Sequence, residues 1–245
     1  NTFREMVNAH IVLPNQWRAN ARFSKVNSDG FLYRTASDLY SYYGDLGWYG
    51  IKTKVIARFF GGSEKTGMGW DGVDYNTAYG IDGADRRYNP AGEYTTTAAD
   101  GSDSTAYYPN QTDNYVQQHA QLTLIHRLST RWNLSATAHY THGAGYYEQY
   151  KRKKLSYWGL LDNGQLAIGE DRKAYGMYRK HLDNHFFGGV VAAKYISEPV
   201  DVQLGGAANY YIGDHFGTLN YLEDSLILPI NYEYYRNDAK KTDAN

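Results

Sequence analysis

Two long polar segments, at 63–111 and 143–181, hold most of the side chains that could capture a ligand. Aromatic rings can stack on a sugar or another flat organic group, and arginines beside them can pair with its carboxylates. The same side chains could instead pack the two segments together, since long loops need internal contacts. The candidate ligand-binding residues are Trp70, Tyr75, Arg86, Arg87, Tyr88, Tyr146, Tyr147 and Trp158.

No set of residues points to catalysis. The sequence has no Gly-x-Ser-x-Gly elbow, no His-Glu-x-x-His motif and no phosphate-binding loop. We therefore predict that the protein is not an enzyme and needs no cofactor.

Metal sites are not predicted either. The acidic pairs at 71–74 and 82–85 lack the further ligands of a calcium loop, so surface turns are expected. His139 and His142 fall on opposite faces of one predicted strand, as do His119 and His126. No close metal-binding pair follows from these spacings.

Composition limits the class of protein. The 245 residues carry a net charge of −1, which implies no nucleic-acid partner, and the absence of cysteine excludes a disulfide scaffold. No apolar run approaches the ~18 residues of a transmembrane helix, so any membrane span must be made by strands.

Alternation of apolar and polar residues predicts strands. In 132–141 the apolar row, from Trp132 to Tyr140, alternates with a polar row from Asn133 to Thr141. Successive side chains of a strand point to opposite faces, so this pattern is typical of a sheet with one apolar face. Eight strands are predicted, at 3–13, 17–24, 38–49, 53–61, 115–128, 132–141, 183–196 and 200–212.

The connections alternate between short and long. Tight turns are predicted at 14–16, 50–52, 129–131 and 197–199, and long loops at 26–37, 63–111, 143–181 and 213–241. Outer-membrane β-barrels have short turns at one end and long loops at the other. The prediction is an all-β fold, an antiparallel meander of about eight long strands that forms a segment of a transmembrane β-barrel. A soluble β-sandwich is the alternative.

Aromatic residues near the turns support the barrel, and so does parity, meaning the odd or even position of a residue along its strand. Trp17, Trp48 and Trp132 each lie near a short turn, as expected for an interfacial girdle, and the chain holds 26 tyrosines. Parity predicts two sets of residues on opposite faces. The outer set is Trp132, Leu134, Ala136, Val202, Leu204 and Ala208, and the inner set is Arg18, Arg22, His119, Gln121, Thr137 and Gln203.

Several motifs in one order resemble the barrel of TonB-dependent outer-membrane receptors, in the form found in Bacteroidetes. They are SDGF at 28–31 with Arg34, RRYNPAGEY at 86–94, TDNY at 112–115 with His119 and Gln121, HYTHGAGYYEQYK at 139–151, and NDAKKTD at 237–243. The resemblance implies a 22-stranded plugged barrel. Residues 1–245 would be the central part of that barrel, with the plug domain and the remaining strands expected to lie outside this sequence.

The resemblance also implies function and partners. It implies TonB-driven import of a scarce nutrient, with an iron–siderophore or haem ahead of cobalamin or a glycan. The implied partners are outer-membrane lipid, lipopolysaccharide, the TonB complex and the nutrient itself. The basic run at 151–154 could bind lipopolysaccharide phosphates, or could simply be solvated. A passive porin and a soluble glycan-binding protein remain alternatives.

Overall fold

A computed structural model describes residues 1–160, 173–223 and 231–245. Nine strands form one antiparallel sheet in which each strand pairs with the next along the chain, and two further strands form a separate hairpin. The sheet strands are β1 (Thr2–Leu13), β2 (Trp17–Ser28), β3 (Ser37–Tyr49), β4 (Thr53–Gly67), β7 (Thr112–Arg127), β8 (Trp132–Lys154), β9 (Lys173–Ser197), β10 (Val200–Leu222) and β11 (Tyr232–Ala244). The hairpin strands are β5 (Glu93–Thr97) and β6 (Asp103–Tyr107).

The predicted meander is confirmed, including the distribution of its turns. Short turns join β1 to β2, β3 to β4, β7 to β8 and β9 to β10 at one end of the sheet, here called the turn end. The first of these turns uses left-handed backbone at Asn15 and Gln16, a conformation that asparagine tolerates better than most residues. The long connections leave from the other end, here called the loop end.

All four predicted loops overlap strands of the structure, and the error is largest for two of them. Much of 143–181 belongs to β8 and β9, whose pairing continues without a shift from Trp132 opposite Tyr195 to Lys154 opposite Lys173. Much of 213–241 belongs to β10 and to β11, a ninth strand that the sequence did not predict. Parts of both predicted loops, 161–172 and 224–230, lie outside the described residues. Strands can pair through their backbones without an apolar residue at every second position. These polar extensions therefore lacked the alternation of apolar and polar residues from which strands were predicted.

Cross-strand register assigns the two faces, because directly paired residues share a face. Leu134 pairs with Ala193, which pairs with Leu204. Thr137 belongs to the opposite face and connects through register to Arg18. The two sets that parity predicted therefore lie on opposite faces, which we call the apolar face and the polar face.

Aromatic residues recur at a fixed spacing on the apolar face. Three strands carry one aromatic residue near the turn end and another eight positions towards the loop end: Trp48 and Tyr40 in β3, Trp132 and Tyr140 in β8, and Tyr195 and Phe187 in β9. Register places all six on the apolar face. We call these pairs the aromatic brackets.

Close packing is concentrated at the loop end rather than along the sheet. Leu155, Trp158, Leu160, Ala174, Tyr178 and Leu219 form the buried cluster, with Leu222, Tyr232 and Tyr234 against it. A single sheet has no second layer to cover it, so its strands bury little apolar surface by themselves. Among the described residues, the helical segments are short, and none of them is long and apolar enough to cross a membrane.

Candidate ligand-binding site

A cavity of about 380 Å³ lies at the loop end of the sheet, mainly over its polar face. Two consecutive rungs on one face of the sheet build it. A rung is here a row of paired residues, one from each neighbouring strand, and successive rungs of the same face are two residues apart along a strand. One rung contains Asp113, Tyr147, Lys180, Gly217 and Tyr235, and the next contains Glu64, Tyr115, Gly145, Leu182 and His215. Six strands thus contribute to one site, which fixes its side chains on paired backbone.

Tyr115 lies across β8 over two glycines. A β-carbon at Gly143 would collide with the Tyr115 hydroxyl, and one at Gly145 would collide with the backbone of Asn114 and Tyr115. The glycines therefore create the groove in which the tyrosine ring lies. Burial, together with the nearby Glu64 carboxylate, raises the pKa of Tyr115, so this phenol stays protonated as a hydrogen-bond donor.

Lys180 is the cation of the cavity. Its ammonium nitrogen lies 6.0 Å from each of the ring centroids of Tyr147, Tyr157 and Tyr235, at the outer limit for cation–π attraction. Burial alone would lower the pKa of Lys180, but the phenols of Tyr157 and Tyr147 outweigh it and the pKa is raised. Lys180 therefore carries its charge throughout the physiological pH range.

Acidic and imidazole groups complete the wall. Burial raises the pKa of Asp113, with an opposing hydrogen bond from the backbone of Asn114. The Nε2 atom of His215 lies 3.0 Å from Asn184 Oδ1 and 3.2 Å from the Tyr211 hydroxyl. The cavity thus presents one ammonium, the carboxylates of Glu64 and Asp113 and several hydroxyl groups, a set suited to a polar organic ligand that both donates and accepts hydrogen bonds.

A second cavity, of about 410 Å³, adjoins the first and shares Glu64 and Tyr115 with it. It extends towards the turn end along the polar face, past Tyr43 and Arg22. His119 lines this cavity and stacks on Phe60 with ring centroids 4.6 Å apart. The two cavities form one continuous aromatic and charged strip on the polar face.

Segment 93–111 is fastened to β8 and β9 by a buried carboxylate. Glu148 is 1% exposed and accepts hydrogen bonds from the Tyr108 hydroxyl, from Asn110 Nδ2 and, at 2.6 Å, from Arg179 Nε. Burial alone would raise the pKa of Glu148, but the bonds from Tyr108, Arg179 and Asn110 and the charge of Arg179 lower it. The carboxylate therefore stays ionised and holds the hairpin in place.

The RRYNPAGEY motif at 86–94 is largely architectural. Asn89 is buried, and its Nδ2 donates to the carbonyls of Tyr33 at 2.9 Å and Met68 at 2.8 Å. Its Oδ1 accepts from the backbone N–H of Ala91 at 3.0 Å. Arg34 donates to the Asn89 carbonyl and lies 3.9 Å above the Tyr107 ring. These contacts join the 26–37 and 63–111 segments.

Three of the eight candidate residues lie at the cavity. Tyr146 and Tyr147 line it, and Trp70 makes an edge contact with Tyr147 at 5.3 Å between centroids. Arg179 lies 4.4 Å above the Tyr146 ring. The structure therefore brings together aromatic residues from both long segments, as the spacing alone could not show.

Four other candidates lie in the 75–88 segment and do not line the cavity. The Tyr75 ring contacts the Tyr79 ring in a tilted arrangement, with centroids 4.6 Å apart. The side chains of the remaining three bond within the loops: Arg86 to the Ala78 carbonyl, Arg87 to the Phe31 carbonyl, and Tyr88 to Glu93. The Glu93 bond and burial raise the pKa of Tyr88 to about 12.

Trp158 is 0% exposed and lies at the centre of the buried cluster. In this conformation its ring packs the loop end together and presents no surface to a ligand. The sequence could not distinguish this role from ligand contact, because both use aromatic residues in a long loop.

The sequence missed several cavity residues. Lys180, His215 and Glu64 all fell within predicted loops. Asp113 and Tyr115 belonged to a recognised motif, but no spacing linked them to Lys180, which is more than sixty residues away. In the basic run, Lys151 pairs with Asp71 at 2.9 Å and Lys153 lies 5.4 Å above the Tyr157 ring. Lipopolysaccharide binding by this run stays a prediction.

Comparison with known proteins gives a likeness of fold. No protein-family model matches the sequence, and no curated protein matches it. The crystal structure of BauA, the ferric preacinetobactin receptor from Acinetobacter baumannii, superposes with a TM-score of 0.55 at 11% identity, over 96% of this chain and 34% of the receptor. Fiu, the ferric-catecholate import receptor of E. coli K12, gives 0.48 at 8% identity, over 99% of this chain and 48% of Fiu. This chain therefore spans about a third to a half of the length of these two receptors.

Proposed function

We propose that this chain is a wall segment of an outer-membrane β-barrel receptor of the TonB-dependent class, which imports an iron–siderophore or haem. The fold likeness to the ferric preacinetobactin receptor supports the barrel. The Bacteroidetes type rests on the sequence motifs alone.

The observation that carries the proposal is the two-faced sheet with its aromatic brackets. Each bracket encloses nine residues, as from Trp132 to Tyr140, and a tilted strand crosses the hydrocarbon core in ~9–11 residues. Between the brackets, one face is apolar and the other carries Arg18, Arg58 and His139. Such a sheet is suited to lipid on one side and to a wet or plugged lumen on the other.

Ligand capture is assigned to the polar face at the loop end. The cavity around Lys180 would face the lumen below the loops, where an incoming ligand first meets the barrel wall. The Lys180 ammonium attracts the carboxylates or phenolates of a metal chelate, and Tyr115, Tyr147 and Tyr235 supply rings for stacking. Trp70 and the other loop aromatics would make the first contacts.

The remaining machinery would lie outside this sequence. Energy coupling requires a plug domain and contact with TonB, and the barrel requires further strands to pair with the edges β1 and β11. Outer-membrane lipid and lipopolysaccharide would surround the apolar face.

Other ligands fit the same arrangement. Cobalamin or a glycan could occupy a cavity of hydroxyls, rings and one ammonium, so the choice of iron chelate rests on the fold likeness. A passive porin would share the apolar face and the brackets, and a soluble glycan-binding protein would share the cavity. Uptake measurements separate these possibilities.

The test uses the full-length protein in a strain grown under iron limitation. Lys180→Gln should lower the affinity for a ferric siderophore without reducing the amount of protein in the outer membrane. Lys173→Gln is the matched control, because Lys173 is an exposed lysine of the same strand. Deletion of 68–108 should abolish high-affinity capture while the barrel still assembles. Uptake that survives both this deletion and the loss of TonB would show a passive porin instead.

A further inference from the structure

Two histidines and an aspartate meet on the apolar face, just beyond the aromatic brackets at the loop end. His142 in β8 pairs directly with His185 in β9, one rung past Tyr140 and Phe187. Asp183 lies on the following rung of β9. We call His142, Asp183 and His185 the rim triad. It lies on the face opposite the Lys180 cavity and takes no part in that site.

The rim triad has its ligand atoms already gathered. His142 Nε2 lies 2.8 Å from Asp183 Oδ1, and His185 Nε2 lies 3.6 Å from the same oxygen. All three ligand atoms lie within 4.8 Å of one another. In a tetrahedral zinc site with bonds of about 2.0–2.1 Å, neighbouring ligand atoms are separated by roughly 3.3 Å. Small side-chain adjustments would therefore admit an ion.

A hydrogen-bond network alone accounts poorly for this arrangement. Both imidazoles direct Nε2 at one carboxylate oxygen, and the 3.6 Å separation from His185 is too long for a hydrogen bond. The two rings are stacked with centroids 4.7 Å apart. Protonation of both would bring two like charges together, whereas two neutral imidazoles and a carboxylate form a common zinc ligand set.

The outer contact of His185 also fits metal binding. Its Nδ1 lies 2.8 Å from the Tyr140 hydroxyl. A proton on Nδ1, donated to that hydroxyl, leaves the lone pair on Nε2 directed at the shared point. Metal-ligating histidines commonly have such a partner on the second ring nitrogen, which fixes the tautomer.

Carboxylates on neighbouring strands create a negative field at the same level. Asp183 pairs with Asp214, and Asp214 pairs with Asp238. Like charges directly opposite one another destabilise a sheet, so three aspartates in one rung have an unfavourable energy that a cation would relieve. Arg236 lies 3.6 Å from Asp238 and partly neutralises its charge. Lys240 lies in β11 at the end of the rung that contains His142 and His185. No such cation faces Asp183 across its own strand pairs.

We infer that the rim triad binds a divalent transition-metal ion of the zinc class. His142 and His185 would ligate through Nε2 and Asp183 through a carboxylate oxygen, with water in the open position. The bound ion would join β8 to β9 at the level where the strands leave the apolar band. This inference does not depend on the nutrient that the barrel imports.

The test measures zinc binding by the full-length protein, purified in detergent without a histidine tag. Isothermal titration with Zn²⁺ should show one site that is lost in His142→Gln and in His185→Gln. His126→Gln is the matched control, because His126 lies on the same face and bonds to Thr53 without a second histidine. Its zinc affinity should equal that of the unmodified protein.

Two further measurements keep the inference open to refutation. Tyr140→Phe retains the ring and should weaken zinc binding roughly 10–100-fold, as is usual for loss of an outer-shell hydrogen bond. X-ray absorption at the zinc edge of the unmodified protein should show imidazole ligands. Absence of stoichiometric binding, ligation by oxygen alone, or equal loss in His126→Gln would each overturn the assignment.

Discussion

The proposed orientation of the sheet in a membrane leads to a sharp prediction at two adjacent valines. Val191 lies on the apolar face, at the middle of the bracket from Phe187 to Tyr195, and is 59% exposed in the isolated sheet. Val190, 46% exposed, lies on the polar face. The two residues have the same side chain and the same depth, so they differ only in the face that they occupy.

Val191→Arg should destabilise the full-length barrel by about 2–4 kcal/mol, the cost of an arginine facing lipid near the bilayer midplane. Each 1.4 kcal/mol is tenfold, so the folding equilibrium should fall by roughly 30- to 1,000-fold. Because the Val191 side chain is exposed in the isolated sheet, replacing it removes few packing contacts with the rest of the protein. Val190→Arg should cost far less, because its guanidinium would lie among the polar side chains of the lumen.

The assay is guanidinium unfolding of the full-length protein in phospholipid vesicles, followed by tryptophan fluorescence. Stability is compared at matched lipid composition, since bilayer thickness changes the depth of every rung. If Val190→Arg destabilises the protein as much as Val191→Arg, the assignment of the faces is wrong. In a soluble sandwich, the destabilisation caused by either substitution would not depend on the lipid.

Three more substitutions test other parts of the structure. Leu204→Arg, on the same face but closer to the turn end, should cost less than Val191→Arg in the same unfolding assay, because the cost falls towards the interface. Trp158→Ala should destabilise the loop end by about 3–5 kcal/mol, seen as faster proteolysis there while the strands between the aromatic brackets stay protected. Because the pKa of Glu148 is lowered from its ordinary value of 4.5, the ionised carboxylate stabilises the folded protein at pH values above 4.5. This stabilisation should be lost as the pH falls through the lowered pKa. In Glu148→Gln, protection of 93–111 from proteolysis should be weaker at neutral pH and should no longer change over that acidic range.

Different parts of the fold were predictable to different degrees. Strands within the bracketed region were predicted well, because a sheet with one apolar face and one polar face imposes a two-residue period on them. The parts of β8 and β9 that lie within 143–181 were predicted as a loop. Beyond the apolar band, neither face of a strand needs to be apolar, so the sequence loses its period while the backbone pairing continues.

The candidate site shows the same limit. Aromatic richness in the two long segments singled out Trp70, Tyr146 and Tyr147, and the structure brings these three residues to one place. Trp158 was singled out by the same aromatic richness, but it lies fully buried. The sequence could not separate the two cases, because ligand stacking and loop packing both use large rings. The motif at 86–94 was one of those that resemble the receptor family. Its most buried member, Asn89, forms hydrogen bonds with backbone groups of other segments, so its role is structural.

By itself, the sequence determined which residues face each way within a strand, because parity is a property of neighbours along the chain. It also determined the four hairpins of the meander, since a short turn leaves its two strands no other partner. Only the tertiary structure decided which residues from different strands share a rung. His142 and His185, or Tyr147 and Lys180, are joined by register, and register depends on the pairing of whole strands rather than on any local spacing.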